Sequence, residues 1–140
     1  MTINVTIKFD FYFLYVLNHN ENNKMDSIVK IYFYTSAIGE IPQAVDILLH
    51  GKVDPVVFSD NKYYVNIHTY SEHIDKLDIT KFLNKTFATF NSNDNPLNAQ
   101  EMQRVIRENN LHTSMSVGDA ISVDNDVYTV KSFGFKKMTN

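Results

Sequence analysis

The fold is decided near the C-terminus by the stretch Gly118-Asp119-Ala120-Ile121-Ser122-Val123-Asp124-Asn125-Asp126-Val127-Tyr128-Thr129-Val130. Its two short β-branched runs flank a polar centre, which is the pattern of paired strands joined by a turn. Asp124-Asn125-Asp126 suits the turn, because Asn and Asp tolerate positive φ and bond their own backbone. Gly118 and Gly134 stand where the backbone can need conformations closed to other residues, and Asp119 is placed to accept backbone N–H bonds. The stretch therefore predicts a C-terminal β-hairpin.

The sequence around this hairpin resembles a known family. The similarity lies in Asn95-Pro96-Leu97, in His112-Thr113-Ser114-Met115-Ser116-Val117-Gly118-Asp119-Ala120-Ile121 and in Ser132-Phe133-Gly134-Phe135. These runs resemble the C-terminal part of YodL-like small proteins of phages and mobile elements, over about residues 90–138. Ala120 departs from the larger aliphatic residue expected at its position. The resemblance implies a phage or mobile-element origin and carries over no catalytic residues.

Composition sets bounds on the chemistry. The chain has 140 residues, of which 44% are hydrophobic and 21% charged, as in an ordinary soluble domain. Its net charge of −3 disfavours broad binding to a phosphate backbone. Cysteine is absent, which excludes disulfides, thiolate nucleophiles and zinc sites built on sulfur. These features, with the resemblance, predict a protein of the bacterial host's cytoplasm that needs no cofactor.

The N-terminal residues 1–24 stand apart from the rest. Between Ile3 and Phe11 apolar and polar residues alternate as in a half-buried strand, and residues 18–24 form a polar linker. The apolar run 13–17 is too short to cross a bilayer, so no membrane association is expected. Met25 is an alternative start, which would make residues 1–24 an upstream extension. Residues 25–140 are predicted to form a single domain.

Further strands are predicted upstream of the hairpin. Ile28–Thr35 is β-branched and aromatic with few polar residues, which indicates a strand in the centre of a sheet. Val56-Val57-Phe58 and Tyr63–Tyr70 are separated by a polar tetrapeptide and are predicted to form a second hairpin.

Helices are predicted in three places. Pro42 stands at a first helical position, and Gly51 ends the apolar run that follows it. Asp78 caps a helix whose apolar residues recur at helical spacing as far as Phe90. A last helix starts at Asn95-Pro96 and ends at Asn109-Asn110. The fold class is therefore α+β: a mainly antiparallel aromatic sheet with two or three helices and a C-terminal β-hairpin.

The candidate binding residues cluster around the hairpin: His112, Ser114, Ser116, Asp119, Tyr128 and Lys131. A hydroxyl nucleophile with a histidine base can be drawn from this set, but a triad is defined by spatial geometry, and these hydroxyls also suit a turn. The spacing of His68 and His73 does not match a zinc-binding helix. Asp124 and Asp126 are interpreted as turn residues. We therefore expect no catalytic set and no metal site.

Two binding functions follow from these observations. The preferred hypothesis is a non-enzymatic phage or mobile-element accessory protein that binds a host protein, for example to inhibit an immune nuclease in counter-defence. The alternative is an RNA- or nucleotide-binding module of the PUA/ASCH or small-barrel type, since sheet aromatics can stack bases and nearby lysines supply charge. The residues concerned are Tyr63, Tyr64, Tyr70, Tyr128, Phe133, Phe135, Lys131, Lys136 and Lys137. An enzyme is the third class considered.

Overall fold

The computed structural model describes residues 26–139, so the predicted N-terminal strand lies outside the described residues. Residues 26–139 combine a five-stranded sheet with helices, which confirms the α+β class. Every strand pair is antiparallel. The strands are β1 (Asp26–Tyr34), β2 (Tyr64–His73), β3 (Ala120–Val123), β4 (Asp126–Val130) and β5 (Phe135–Lys137); the helices are α1 (Ala44–His50), α2 (Pro55–Phe58), α3 (Ile79–Thr89) and α4 (Gln100–Glu108).

The sheet is built on β1, which is paired on both sides as its apolar sequence predicts. The strand order is β2-β1-β3-β4-β5. On β1, Val29, Ile31 and Phe33 are fully buried and alternate with less buried residues. This period of two gives the sheet two different faces, each covered by its own set of helices.

Two apolar cores lie on the two faces of the sheet. The larger contains the buried β1 side chains together with residues of α3 and α4, such as Leu83 and Ile106. The smaller is formed by Ile38, Ile47 and Tyr64, and is covered by α1 and α2. The sheet is thus packed between helices, and the segment before β3 runs along the junction of the two cores.

The C-terminal hairpin forms as predicted. β3 and β4 pair from Ala120 opposite Thr129 to Val123 opposite Asp126. Asp124 in the turn has a φ of 54°, which Asp tolerates better than most residues. Its carboxylate accepts a bond from the Ile28 N–H and lies 2.6 Å from the Lys76 ammonium. The interpretation of Asp124 as a turn residue therefore agrees with its contacts.

The predicted second hairpin is wrong, because Val56-Val57-Phe58 belongs to the helix α2. Asp54 caps this helix by accepting a bond from the Val56 N–H, and Pro55 stands at its first turn. Cap and proline together outweigh the strand preference of three β-branched or aromatic residues. The strand at Tyr64–His73 instead pairs with β1, and the described residues contain four α-helices rather than two or three.

The other helices start and end close to the predicted positions. Gly51 ends α1 with a φ of 64°, and Asp78 caps α3 through the Lys81 N–H. Asn95 caps a short 3-10 turn, Pro96–Asn98, and α4 begins only after it. Within residues 26–139, no helix has the length and apolar character needed to cross a membrane.

Candidate functional site

The Asp119 carboxylate joins three segments of the chain. Asp119 follows the Gly118 turn and is fully buried. Its Oδ1 accepts a bond of 3.1 Å from the Tyr34 N–H at the end of β1, and its Oδ2 accepts one of 2.7 Å from the Ser116 N–H. The prediction that Asp119 accepts backbone bonds across the bend agrees with this geometry. We call Tyr34, His112, Ser116 and Asp119 the Asp119 cluster.

His112 completes the cluster from the loop that follows α4. Its Nε2 lies 2.7 Å from Asp119 Oδ2. The imidazole is stacked on the Phe33 ring at 4.4 Å with 10° between the planes, and it also contacts the Tyr34 ring at 4.4 Å. The ring is therefore held in one orientation by aromatic packing on β1 and by its bond to Asp119.

Burial governs the electrostatics of the cluster. It raises the pKa of Asp119 to about 6, against the opposing effect of bonds from His112, Ser116 and Tyr34, which favour the carboxylate. Burial also raises the pKa of Tyr64, and the Asp119 charge adds to this effect. The short contact between His112 and Asp119 thus joins two groups that can share a proton.

The turn before Asp119 is fixed by a close backbone approach. Gly118 has a φ of 97°, and a Cβ at this position would lie 2.9 Å from the Ile47 carbonyl oxygen. The Tyr64 hydroxyl donates a 2.7 Å bond to the Gly118 carbonyl. Only glycine fits between these elements, so the Val-Gly-Asp run is explained by the needs of the backbone.

The cluster contains the acid and the base of a triad, but its serine hydroxyl is bonded elsewhere. The Ser116 hydroxyl donates a bond of 3.4 Å to the Ser114 carbonyl and so stabilises the loop. It is not bonded to His112. Both Asp119 oxygens are occupied by donors from the chain. The arrangement can share a proton between His112 and Asp119, and it orders the loop that leads into β3.

The six predicted binding residues separate into two groups. His112, Ser116 and Asp119 meet in the cluster, and Ser114 contributes a carbonyl to the same loop. Tyr128 is half-buried on β4 opposite Ile121, and Lys131 is exposed just beyond that strand. Among the described residues, no hydrogen bond joins Tyr128 or Lys131 to the cluster. Their role in binding stays a prediction.

The aromatic residues named for base stacking differ in exposure. Tyr64 is buried and its hydroxyl is bonded, while Tyr70 and Phe135 pack against the larger core. Phe133 is 93% exposed at the turn between β4 and β5. Of the six, Phe133 is therefore the ring most available to a partner.

Sequence reasoning missed the β1 and β2 contributions to the cluster. Tyr34 is separated from Asp119 by 85 residues, and Tyr64 from Gly118 by 54. Both tyrosines stand in strands that the sequence predicts, but only the strand order brings them to the Gly118 turn. Among residues 26–139, no group of three or more potential ligands is placed to hold a metal ion.

Comparison with known proteins gives the chain a relative among giant viruses. No family model matches the chain, and no solved structure matches it. Uncharacterized protein R785 of Acanthamoeba polyphaga mimivirus is 38% identical over 78 residues, which make up 56% of this chain and 71% of that protein. The chain belongs to the R785 family. It is thus a viral-type protein with an α+β fold.

Membership of the R785 family overturns the resemblance to YodL-like proteins. That resemblance is wrong, since the relative found is a protein of a giant virus of amoeba and no family model supports a link to bacterial phages. The physical reason lies in the motif. Gly118 and Asp119 are required by a tight backbone approach and a buried hydrogen-bond junction, and such requirements recur in unrelated folds.

Proposed function

We propose that this protein is a non-enzymatic viral accessory protein that binds a host protein inside the infected cell, in counter-defence. The observation that carries the proposal is an apolar surface patch formed by Val45, Leu49 and Phe133, which we call the Phe133 patch. These side chains are 63%, 60% and 93% exposed. Apolar residues grouped on a surface in this way are typical of protein-binding sites.

The Phe133 patch is held together by the fold. Val45 and Leu49 are four residues apart on α1 and so share one helix face. The Ser132 hydroxyl donates a 2.8 Å bond to the Leu49 carbonyl, which fixes the turn carrying Phe133 beside the end of the helix. A preorganised surface loses less conformational entropy on binding than a mobile one.

Charge next to the patch indicates the kind of partner. Lys52 follows α1 and Lys131 follows β4, and both are exposed. Gly51 brings the two segments together, because its ideal Cβ position lies 3.1 Å from the Lys131 Cα. The partner surface that fits the Phe133 patch is an apolar recess with acidic residues at its rim, since acidic residues complement the two lysines.

Replacing either Leu49 or Phe133 by aspartate is expected to weaken partner binding at least about 30-fold, the effect of losing an interface anchor. The measurement is affinity capture with quantitative mass spectrometry from amoebal host cells expressing the tagged protein. Leu77→Asp is the matched control. Leu77 is 92% exposed, and its neighbour Lys76 contacts Asp124 at the opposite end of the β3–β4 hairpin.

The proposal requires a host protein at fixed stoichiometry with the wild-type and Leu77→Asp proteins and its loss with the patch variants. Equal recovery by all four proteins would contradict it. Capture of RNA in place of protein, lost on Tyr128→Ala and Lys131→Ala, would support the RNA-binding alternative instead.

A further inference from the structure

The charge of the Asp119 carboxylate is compensated by a single side chain. Asp119 is fully buried, and two of its hydrogen bonds come from the backbone N–H groups of Tyr34 and Ser116. Among residues 26–139, His112 is the only side chain bonded to it, at 2.7 Å. A buried charge without a compensating partner is costly. One added proton makes the pair electrically neutral, whether it resides on the imidazole or on the carboxyl group.

Mild acid supplies this proton. Burial raises the pKa of Asp119 to about 6, from the ordinary value of 3.8. The stability that the proton contributes to the folded state is therefore complete below 3.8 and is lost as pH rises through 6. The two groups of the pair take up the proton as a unit, because a short bond couples them.

The other ionisable groups that face Asp119 are the hydroxyls of Tyr34 on β1 and Tyr64 on β2. Burial raises the pKa of both hydroxyls and the Asp119 charge adds to the effect, so both stay neutral at pH 7 and below. α1 and β4 meet the turn before Asp119 through Ile47 and through backbone groups, none of which ionises. Proton uptake at the cluster is thus confined to Asp119 and its imidazole partner.

The turn before Asp119 contacts both elements that carry the Phe133 patch. At Gly118 the chain lies so close to α1 that an ideal Cβ would be 2.9 Å from the Ile47 carbonyl oxygen. The Gly118 N–H donates a 2.9 Å bond to the Val130 carbonyl at the end of β4. α1 and the segment after β4 contribute the three side chains of the patch. A change in the order of the turn therefore reaches the patch through direct contacts.

We propose that proton uptake by the Asp119 cluster regulates binding at the Phe133 patch. This inference rests on the proposed binding function of that patch. With the proton bound, the cluster fixes the Gly118 turn, which supports α1 and the end of β4. When the proton leaves, the uncompensated carboxylate loosens the turn, and the patch loses preorganisation. Binding of the host protein is therefore tighter in mild acid than at neutral pH.

A second imidazole lies beside the patch and defines the reference protein for the test. His50 is exposed in the last turn of α1, next to Leu49, so its charge acts on the patch directly. His50→Gln removes this route, since glutamine donates a hydrogen bond but takes up no proton. His112→Gln is then added, and its amide keeps a donor for Asp119. His73→Gln, at the exposed end of β2, is the matched control.

NMR spectroscopy of the intact protein tests the coupling without a partner. In the His50→Gln reference, we expect the methyl resonances of Val45 and Leu49 to shift between pH 5 and pH 7.5. Their pH midpoint should equal that of the Asp119 carboxyl carbon. The shift should persist when His73→Gln is added and disappear when His112→Gln is added. The proposal is overturned if these methyl resonances do not move in the reference, or if they still move with His112→Gln.

Capture from amoebal host lysate at pH 5.5 and pH 7.5 tests the consequence for binding. We expect the His50→Gln reference to recover at least about fivefold more host protein at pH 5.5, the lower end for coupling between two sites. Adding His112→Gln should reduce this ratio below about twofold. A ratio that His112→Gln leaves unchanged overturns the inference and leaves the proposed function intact. Recovery of no host protein at either pH contradicts the proposed function, and the regulation fails with it.

Discussion

Gly51→Ala is expected to lower the free energy of unfolding by about 3 kcal/mol or more, as expected for a buried clash combined with backbone strain. Gly51 has a φ of 64°, and an added Cβ would lie 2.0 Å from the Val130 carbonyl oxygen. That carbonyl also accepts the Gly118 N–H, so it cannot move away without breaking the bond that closes the Gly118 turn. Equilibrium unfolding in urea measures the loss.

Gly39→Ala is the control for this substitution. No atom lies within 4 Å of its ideal Cβ position, and its φ is outside the left-handed range. We expect its free energy of unfolding to change by no more than about 0.5 kcal/mol. Equal stability of the two variants would mean that the contact between α1 and the end of β4 does not constrain the fold.

Asp119→Asn is expected to cost about 3 kcal/mol at pH 7, the range for breaking a buried polar network. Whichever way the new amide turns, its NH₂ group faces a backbone N–H, either that of Tyr34 or that of Ser116. A buried donor is then left without an acceptor. Unfolding in urea measures this, and amide exchange at Tyr34 and Ser116 locates it.

The pH dependence of Asp119→Asn tests the electrostatics of the cluster. Burial raises the pKa of Asp119 to about 6, from the ordinary aspartate value of 3.8. The folded state therefore binds the Asp119 proton more tightly than the unfolded state does. The stability that this proton contributes is complete below the pKa of the unfolded state and is lost as pH rises through 6. The stability advantage of the wild type over Asp119→Asn should narrow from pH 4 to pH 7, by at most about 1.4 kcal/mol per pH unit. An advantage that widens over this range would contradict the assignment.

Most of the fold could be predicted from local sequence patterns, and residues 54–58, where the prediction was wrong, show the limit of such patterns. β1 and the C-terminal hairpin follow from alternation, and α1 and α3 follow from Gly51 and the Asp78 cap. At 54–58 two signals conflict, since Asp54-Pro55 favours a helix start while Val56-Val57-Phe58 favours a strand. Three residues have too little strand preference to outweigh a cap that the backbone can use at once.

Only half of the candidate site could be predicted from the sequence, because its residues are far apart along the chain. His112, Ser116 and Asp119 lie within eight positions, and local reasoning grouped them. The stacking of Phe33 on His112 depends on β1 lying beside β3, which no local pattern reveals. Nor does the sequence show that β2 lies at an edge of the sheet formed by residues 26–139, since that follows from the strand order alone.

The pairing of β1 with β3 has a consequence for folding during synthesis on the ribosome. The bond between Ile28 and Asp124 joins residues 96 positions apart. At bacterial to eukaryotic translation speeds of roughly 5–20 residues per second, β1 waits on the order of 5–20 seconds for its second neighbour. During that interval one edge of β1 has no neighbouring strand, so the nascent chain exposes to chaperones an apolar segment that is buried in the folded domain.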